Sequence, residues 1–192
     1  MGLKKILAGI VAAAALIAMS GCSAQSGSVA ATVNGVVITE DSLNTSVAAF
    51  NEILSQDPRY DSSDSVSFVL TYQILGEMFG AALPQLGLGF TDADREDLWT
   101  STFSPTDVEY PLWTDPRLTS MMRGYLDFNL TNMLAQSGSI DVQTVVAALN
   151  SLSVTVNPRH GSWNMDTWAI TSNSASNPVG VLADPVVFPV PA

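Results

Sequence analysis

The dipeptide Asn34-Gly35 constrains the fold of this chain more than any other short feature. It separates two runs of mostly β-branched residues, 29–33 and 36–39. Asn-Gly is the pair that a two-residue hairpin prefers, since both of its residues take positive φ. The sequence therefore predicts a β-hairpin over residues 29–39.

Amphipathic segments follow the hairpin, with apolar residues recurring every three or four positions. Helix-capping residues precede most of them, and 55–65 and 100–114 contain prolines that predict loops. Leu152 to Asn157 alternates apolar and polar residues, which predicts a strand. The expected helices cover 40–54, 66–83, 91–99, 115–138 and 141–150.

Strands at both ends of a helical series predict the fold class. We expect a mostly α domain (α+β) over residues 29–170, in which the N-terminal hairpin and a C-terminal return strand form one small sheet. Residues 171–192 are rich in Ser, Asn and Pro, and we expect a disordered tail there.

The N-terminus has the composition of an export signal. Lys4 and Lys5 precede the apolar run 6–19, and Ser20-Gly21 lead to Cys22, the single cysteine of the chain. This arrangement resembles the lipobox of bacterial lipoproteins. The resemblance implies removal of residues 1–21, acylation of Cys22, a tether over 22–28 and anchoring on the extracytoplasmic face of the cell membrane. An uncleaved anchor and an ordinary secretory signal are the alternatives.

The charge of the remaining chain is strongly negative. Both lysines belong to the leader, so five arginines face eighteen acidic residues, a net charge of −13. Such a surface repels phosphate groups, and we expect no binding to nucleic acid. The acidity is explained either by solubility outside the cell or by attraction to basic unfolded segments.

Three segments, taken in order, resemble the N-terminal domain of SurA- and PrsA-type extracytoplasmic chaperones. They are the Val-Asn-Gly strand and helix start over 29–43, the glycine turn and Thr-Asp cap over 87–94, and the return segment 154–164. The resemblance, mostly to actinobacterial lipoproteins, implies a helical polypeptide-binding module. The chain has no room for the parvulin domain of the isomerising relatives, so the resemblance implies binding without enzymatic activity.

The sequence indicates no catalytic residue, metal site or cofactor. His160 is the only histidine, and its neighbours Pro158 and Gly161 predict a turn. Zinc would lack ligands, and the acidic run from Asp92 lacks the glycine and the final glutamate of a calcium loop. We expect Arg159 to pair with a carboxylate and fix the return strand.

Methionine and aromatic residues are the candidates for polypeptide binding, because both side-chain types suit varied apolar partners. The same pattern is also typical of a hydrophobic core. The leading hypothesis is a holder of unfolded exported polypeptides, and the alternative is an adaptor that docks one dedicated envelope partner. Prolyl isomerisation is a third hypothesis. The candidate residues are Trp99, Phe103, Tyr110, Trp113, Met121, Met122 and Tyr125.

Overall fold

The computed structural model describes residues 28–171. The predicted leader, Cys22 and nearly all of the predicted tether and tail lie outside these residues. In order, the elements are β1 (Val29–Val33), β2 (Val36–Thr39), α1 (Glu40–Leu54), α2 (Ser65–Ala82), α3 (Asp92–Thr102), α4 (Pro111–Thr114), α5 (Thr119–Gln136), α6 (Val142–Asn150), β3 (Val154–Val156), β4 (Ser162–Asn164) and β5 (Ala169–Thr171).

The first sheet joins the two ends of the helical series, which confirms the predicted fold class. Its order is β2-β1-β3, and both pairings are antiparallel. Asn34 and Gly35 take φ values of 47° and 88°, as the predicted hairpin turn requires. The registers place Ala31, Val33 and Ile38 on the buried face, whereas Val37 and Thr155 face solvent.

Helices α2 and α5 form the centre of the core. They approach closely because Gly76 and Gly124 stand where they cross, with backbone from the opposite helix directly against each glycine. The segment Ser62–Leu86 is long and apolar enough to span a membrane, but more than half of its most apolar window is buried inside the domain. Its apolar character is that of a core helix.

Capping side chains begin the helices where the sequence predicts. Thr39 accepts a hydrogen bond from the backbone N–H of Ser42 at the start of α1. Thr91 and Asp94 form a reciprocal capping box at α3, and Asp141 caps α6. The predicted start at Asp115 is wrong for α5, because Asp115 caps a 3-10 turn over Pro116–Leu118 and the α-helix begins at Thr119.

A second sheet pairs β4 with β5, and the sequence analysis did not predict it. Its strands are three residues long, and the connection between them contains Trp168 at φ 49°, a conformation rare for a bulky residue. Thr171 belongs to β5, although the sequence analysis assigned it to the C-terminal tail. The pairing with Ser162 holds Thr171 in the fold.

Candidate polypeptide-binding groove

An open groove of about 490 Å³ lies between the two sheets. We call it the β3 groove. Its volume lies within the range of ordinary ligand sites. One side is the outer edge of β3, which pairs with no other strand among residues 28–171, and the other is the segment that turns back into β4. The lining residues are Val154, Thr155, Val156, Pro158, Gly161, Ser162 and Trp163.

The β3 edge presents to this groove main-chain groups that have no hydrogen-bond partner among residues 28–171. On the β1 side, Asn34 donates its N–H to the carbonyl of Ser153 at 2.8 Å, and Asn157 donates to Ala30 at 2.8 Å. In an antiparallel ladder, hydrogen-bonded positions alternate along each strand. Ser153, Thr155 and Asn157 therefore face β1, and the N–H and C=O groups of Val154 and Val156 point into the groove.

The turn after β3 fixes the opposite wall. The Asn157 side chain donates to the carbonyl of Val29 at 2.9 Å and accepts from the N–H of Arg159 at 3.2 Å. Pro158 then begins a 3-10 turn that ends at Gly161. Gly161 has φ 108°, and a Cβ there would lie 2.3 Å from the carbonyl oxygen of Thr171. The wall can therefore pass β5 at this distance only with glycine at position 161.

The side chains of Arg159 and His160 anchor the turn to the first helix. Arg159 forms an ion pair with Glu40, and its Nε donates to Glu40 Oε1 at 3.1 Å. His160 Nε2 lies 2.8 Å from the same oxygen. Desolvation raises the pKa of Glu40, but hydrogen bonds from Arg159 and His160 outweigh it and leave that pKa below its usual value. The prediction that Arg159 pairs with a carboxylate and fixes the return segment is confirmed.

Every arginine of the described chain is paired with at least one carboxylate. Arg117 bridges Glu52 and Asp115, and the buried Arg95 bridges Asp92 and Asp127. Arg59 pairs with Asp57, and Arg123 lies 3.5 Å from Asp92. Because acidic residues outnumber arginines, many carboxylates have no cationic partner among residues 28–171, and the surface field is negative.

The sequence-predicted binding residues gather in a different place. Trp99, Phe103, Met121, Met122 and Tyr125 surround an apolar crevice of about 20 Å³, room for roughly one water molecule. Tyr110 and Trp113 are half-buried beside the core. The seven residues thus share one region of the fold, which is separate from the residues that line the β3 groove.

Burial limits what this cluster can contact. Trp99, Met121, Met122 and Tyr125 are buried in the core, where Trp99 also donates its indole N–H to the carbonyl of Tyr110 at 3.1 Å. Burial raises the pKa of Tyr125 far above its usual value. Trp99 is a sequence-predicted binding residue, but its side chain is buried in this conformation. The assignment of polypeptide binding stays a prediction, and in this conformation it is restricted to Phe103, Tyr110 and Trp113.

The sequence analysis did not predict the β3 groove, because the position of its second wall depends on contacts between residues that are distant in the sequence. The alternation over 152–157 predicted strand β3, but the sequence analysis did not use Asn164, whose side chain accepts from the N–H groups of Asp166 and Thr167 in the β4–β5 connection. Gly161 was another sign in the sequence, because glycine in Arg-His-Gly-Ser fits a chain reversal, and in the structure its φ is positive. Among the described residues, no three potential ligand side chains cluster closely enough to hold a metal ion.

No protein family, curated protein or solved structure matches this chain. The likeness to SurA- and PrsA-type chaperones therefore rests only on the three segments named above.

Proposed function

We propose that this protein is a membrane-anchored extracytoplasmic lipoprotein that holds unfolded exported polypeptides, without prolyl isomerase activity. The observation that carries the proposal is the free edge of β3 inside the β3 groove. An extended chain can add to a free strand edge through main-chain hydrogen bonds, which every sequence can form. Such binding suits a holder of many different polypeptides.

The dimensions of the groove fit weak and reversible binding. The edge exposes the main-chain groups of only Val154 and Val156, so an added strand gains few hydrogen bonds. Each such bond contributes about 1 kcal/mol net, because it replaces a bond to water. Trp163 and the two valines add apolar contact. A holder without an energy source has to release its polypeptide again, and weak binding permits this.

A second candidate function is an adaptor that docks one dedicated envelope partner. It is favoured by the small amount of apolar side chain at the surface, since a holder of many clients usually exposes a larger apolar patch. Among the described residues, the large exposed hydrophobic side chains are Val36, Val37, Val66, Met133 and Val142, each roughly 40 to 50 % exposed.

An aggregation assay separates the two functions. The full chain, held in lipid nanodiscs, is mixed with a reduced model protein while light scattering is followed. The holder predicts suppression at near-stoichiometric amounts, with empty nanodiscs as the control. The adaptor predicts no suppression together with capture of a single stoichiometric envelope protein.

One variant tests whether suppression of aggregation depends on the β3 groove. Val156→Pro removes one N–H that points into the groove and leaves the hydrogen bonds between β1 and β3 in place. We expect it to remove suppression, whereas Val142→Ala, an exposed change on α6, keeps it. Full suppression by a folded Val156→Pro chain would overturn the groove as the binding site.

A further inference from the structure

We infer that the β3 groove selects extended segments in which apolar residues alternate with basic residues. The inference rests on the proposed function and names the class of polypeptide that the same site takes. It combines two independent observations, the pleat of β3 and the distribution of charge over the domain.

The pleat of β3 determines which positions of the bound segment should be apolar. Val154 and Val156 lie on the core face of the sheet and are half-buried, whereas Thr155 is on the outer face and exposed. Side chains of an added strand alternate in the same way, because neighbouring strands of a sheet share one pleat. Every second residue of the bound segment then lies beside the valines and Trp163, and the residues between them face solvent beside Thr155.

The charge distribution of the domain determines which residue types are favoured at the solvent-facing positions of the bound segment. Arg159, the arginine of the turn that borders the groove, is neutralised by Glu40. Exposed carboxylates such as Asp41, Asp97 and Asp166 have no ion pair among residues 28–171. The net charge of −13 outside the leader therefore gives the surface a negative field, and the residues that line the groove carry no charge. Lysine or arginine at the solvent-facing positions gains from this field, and aspartate or glutamate is repelled.

Three peptides of equal length test this inference. The first alternates valine and lysine, the second alternates valine and glutamate, and the third has the composition of the first but with valines and lysines in pairs. Each carries a dye, and binding to the full chain in nanodiscs of zwitterionic lipid is measured by fluorescence anisotropy. Empty nanodiscs measure binding to lipid.

We expect the alternating lysine peptide to bind at least about tenfold more tightly than either of the others at low salt. Its advantage over the glutamate peptide should shrink at about 1 M salt, where the screening length falls to about 3 Å. Val156→Pro should weaken binding of the alternating lysine peptide by a similar factor.

The possible failures are distinguishable. Equal binding of the lysine and glutamate peptides, both lost in Val156→Pro, would overturn the charge preference and leave the proposed function standing. Equal binding of the alternating and paired peptides would overturn the alternation. Absence of binding by all three would overturn both this inference and the groove. If removal of residues 172–192 is needed before any peptide binds, the chain's own C-terminal segment is the occupant, and the inference is wrong.

Discussion

Gly124 on α5 lies directly against the backbone of Tyr72 on α2. A Cβ at position 124 would stand 1.9 Å from the Tyr72 carbonyl oxygen and 2.6 Å from the Gly76 backbone nitrogen. Neither group can move without displacing a helix. The two central helices can therefore keep their present distance only with glycine at this position.

Gly124→Ala should lower the free energy of unfolding by about 3 kcal/mol, the upper part of the usual range for overpacking a core. The measurement is urea unfolding followed by circular dichroism. Gly80→Ala is the matched control, because Gly80 is also helical but exposed, and nothing lies within 4 Å of its Cβ position. It should be neutral or stabilising by up to about 1 kcal/mol. Equal stability of the two variants would contradict the close packing.

The ion pair between Arg95 and Asp127 connects α3 to α5 inside the protein. Arg95 Nε donates to Asp127 Oδ1 at 2.7 Å and Nη2 donates to Oδ2 at 3.0 Å, with both side chains about nine-tenths buried. Asp127→Ala would leave a buried guanidinium with only the exposed Asp92 as partner.

We expect Asp127→Ala to cost about 3 to 5 kcal/mol of unfolding free energy, measured by thermal or urea unfolding. Arg123→Ala is the control, because Arg123 is half-exposed and lies 3.5 Å from Asp92. Loss of such an exposed pair costs about 0 to 1 kcal/mol. If both changes cost less than about 1 kcal/mol, the buried pair contributes no more than a surface pair.

Glu40 should make the free energy of unfolding of the domain depend on pH in the acidic range. Its folded-state pKa lies below the usual 4.5, because the hydrogen bonds from Arg159 and His160 outweigh its desolvation. A lowered pKa means that the carboxylate contributes stability above its unfolded-state pKa. This contribution decreases as the pH falls through the folded-state pKa.

The free energies of unfolding of the wild type and Glu40→Gln should therefore differ most near neutral pH, and the difference should shrink as the pH falls below 4.5 and through the lowered folded-state pKa. Asp41→Asn serves as the control, because Asp41 occupies the same helical turn and has no ion pair among residues 28–171. A Glu40→Gln difference that stays constant from neutral to acidic pH would contradict a role of the carboxylate charge.

Local signals in the sequence were sufficient for the parts of this fold that local interactions determine. Asn34-Gly35 predicted the hairpin, and the caps at Thr39, Thr91 and Asp141 placed three helix starts. Each of these features depends on residues within three positions of one another. The expected pairing of the N-terminal hairpin with the return strand β3 also follows, because the three apolar strand segments need a shared buried face.

The residues that sequence reasoning misplaced depend on distant contacts. Trp99 was predicted as a binding residue, but Phe103 and Tyr110 of the connection that follows α3 pack against it and bury it. The β4–β5 hairpin has no turn dipeptide, and its position depends on contacts with α2, including a hydrogen bond from the Ile170 N–H to Thr71 at 3.2 Å. No property of residues 162–171 alone specifies that bond, so the β3 groove could not be predicted.

Gly161 connects the fold to the proposed binding site. Its φ of 108° is unfavourable for any residue with a side chain, and its Cβ position is 2.3 Å from the carbonyl oxygen of Thr171 and 3.1 Å from a methyl carbon of Ile170. Gly161→Ala should therefore displace β4 from β5 and shift Trp163 in the groove wall. The cost should be about 1 to 3 kcal/mol, because the second sheet lies at the edge of the domain.

The decisive measurement for Gly161→Ala is binding of the alternating valine–lysine peptide, made at a temperature where circular dichroism shows the variant folded. We expect binding to fall at least about tenfold, since the groove loses its opposite wall. Gly89→Ala is the control, because nothing lies within 4 Å of its Cβ position, and it should bind like the wild type. Unchanged affinity in the folded Gly161→Ala variant would mean that the wall formed by residues 161–163 does not contact the bound segment.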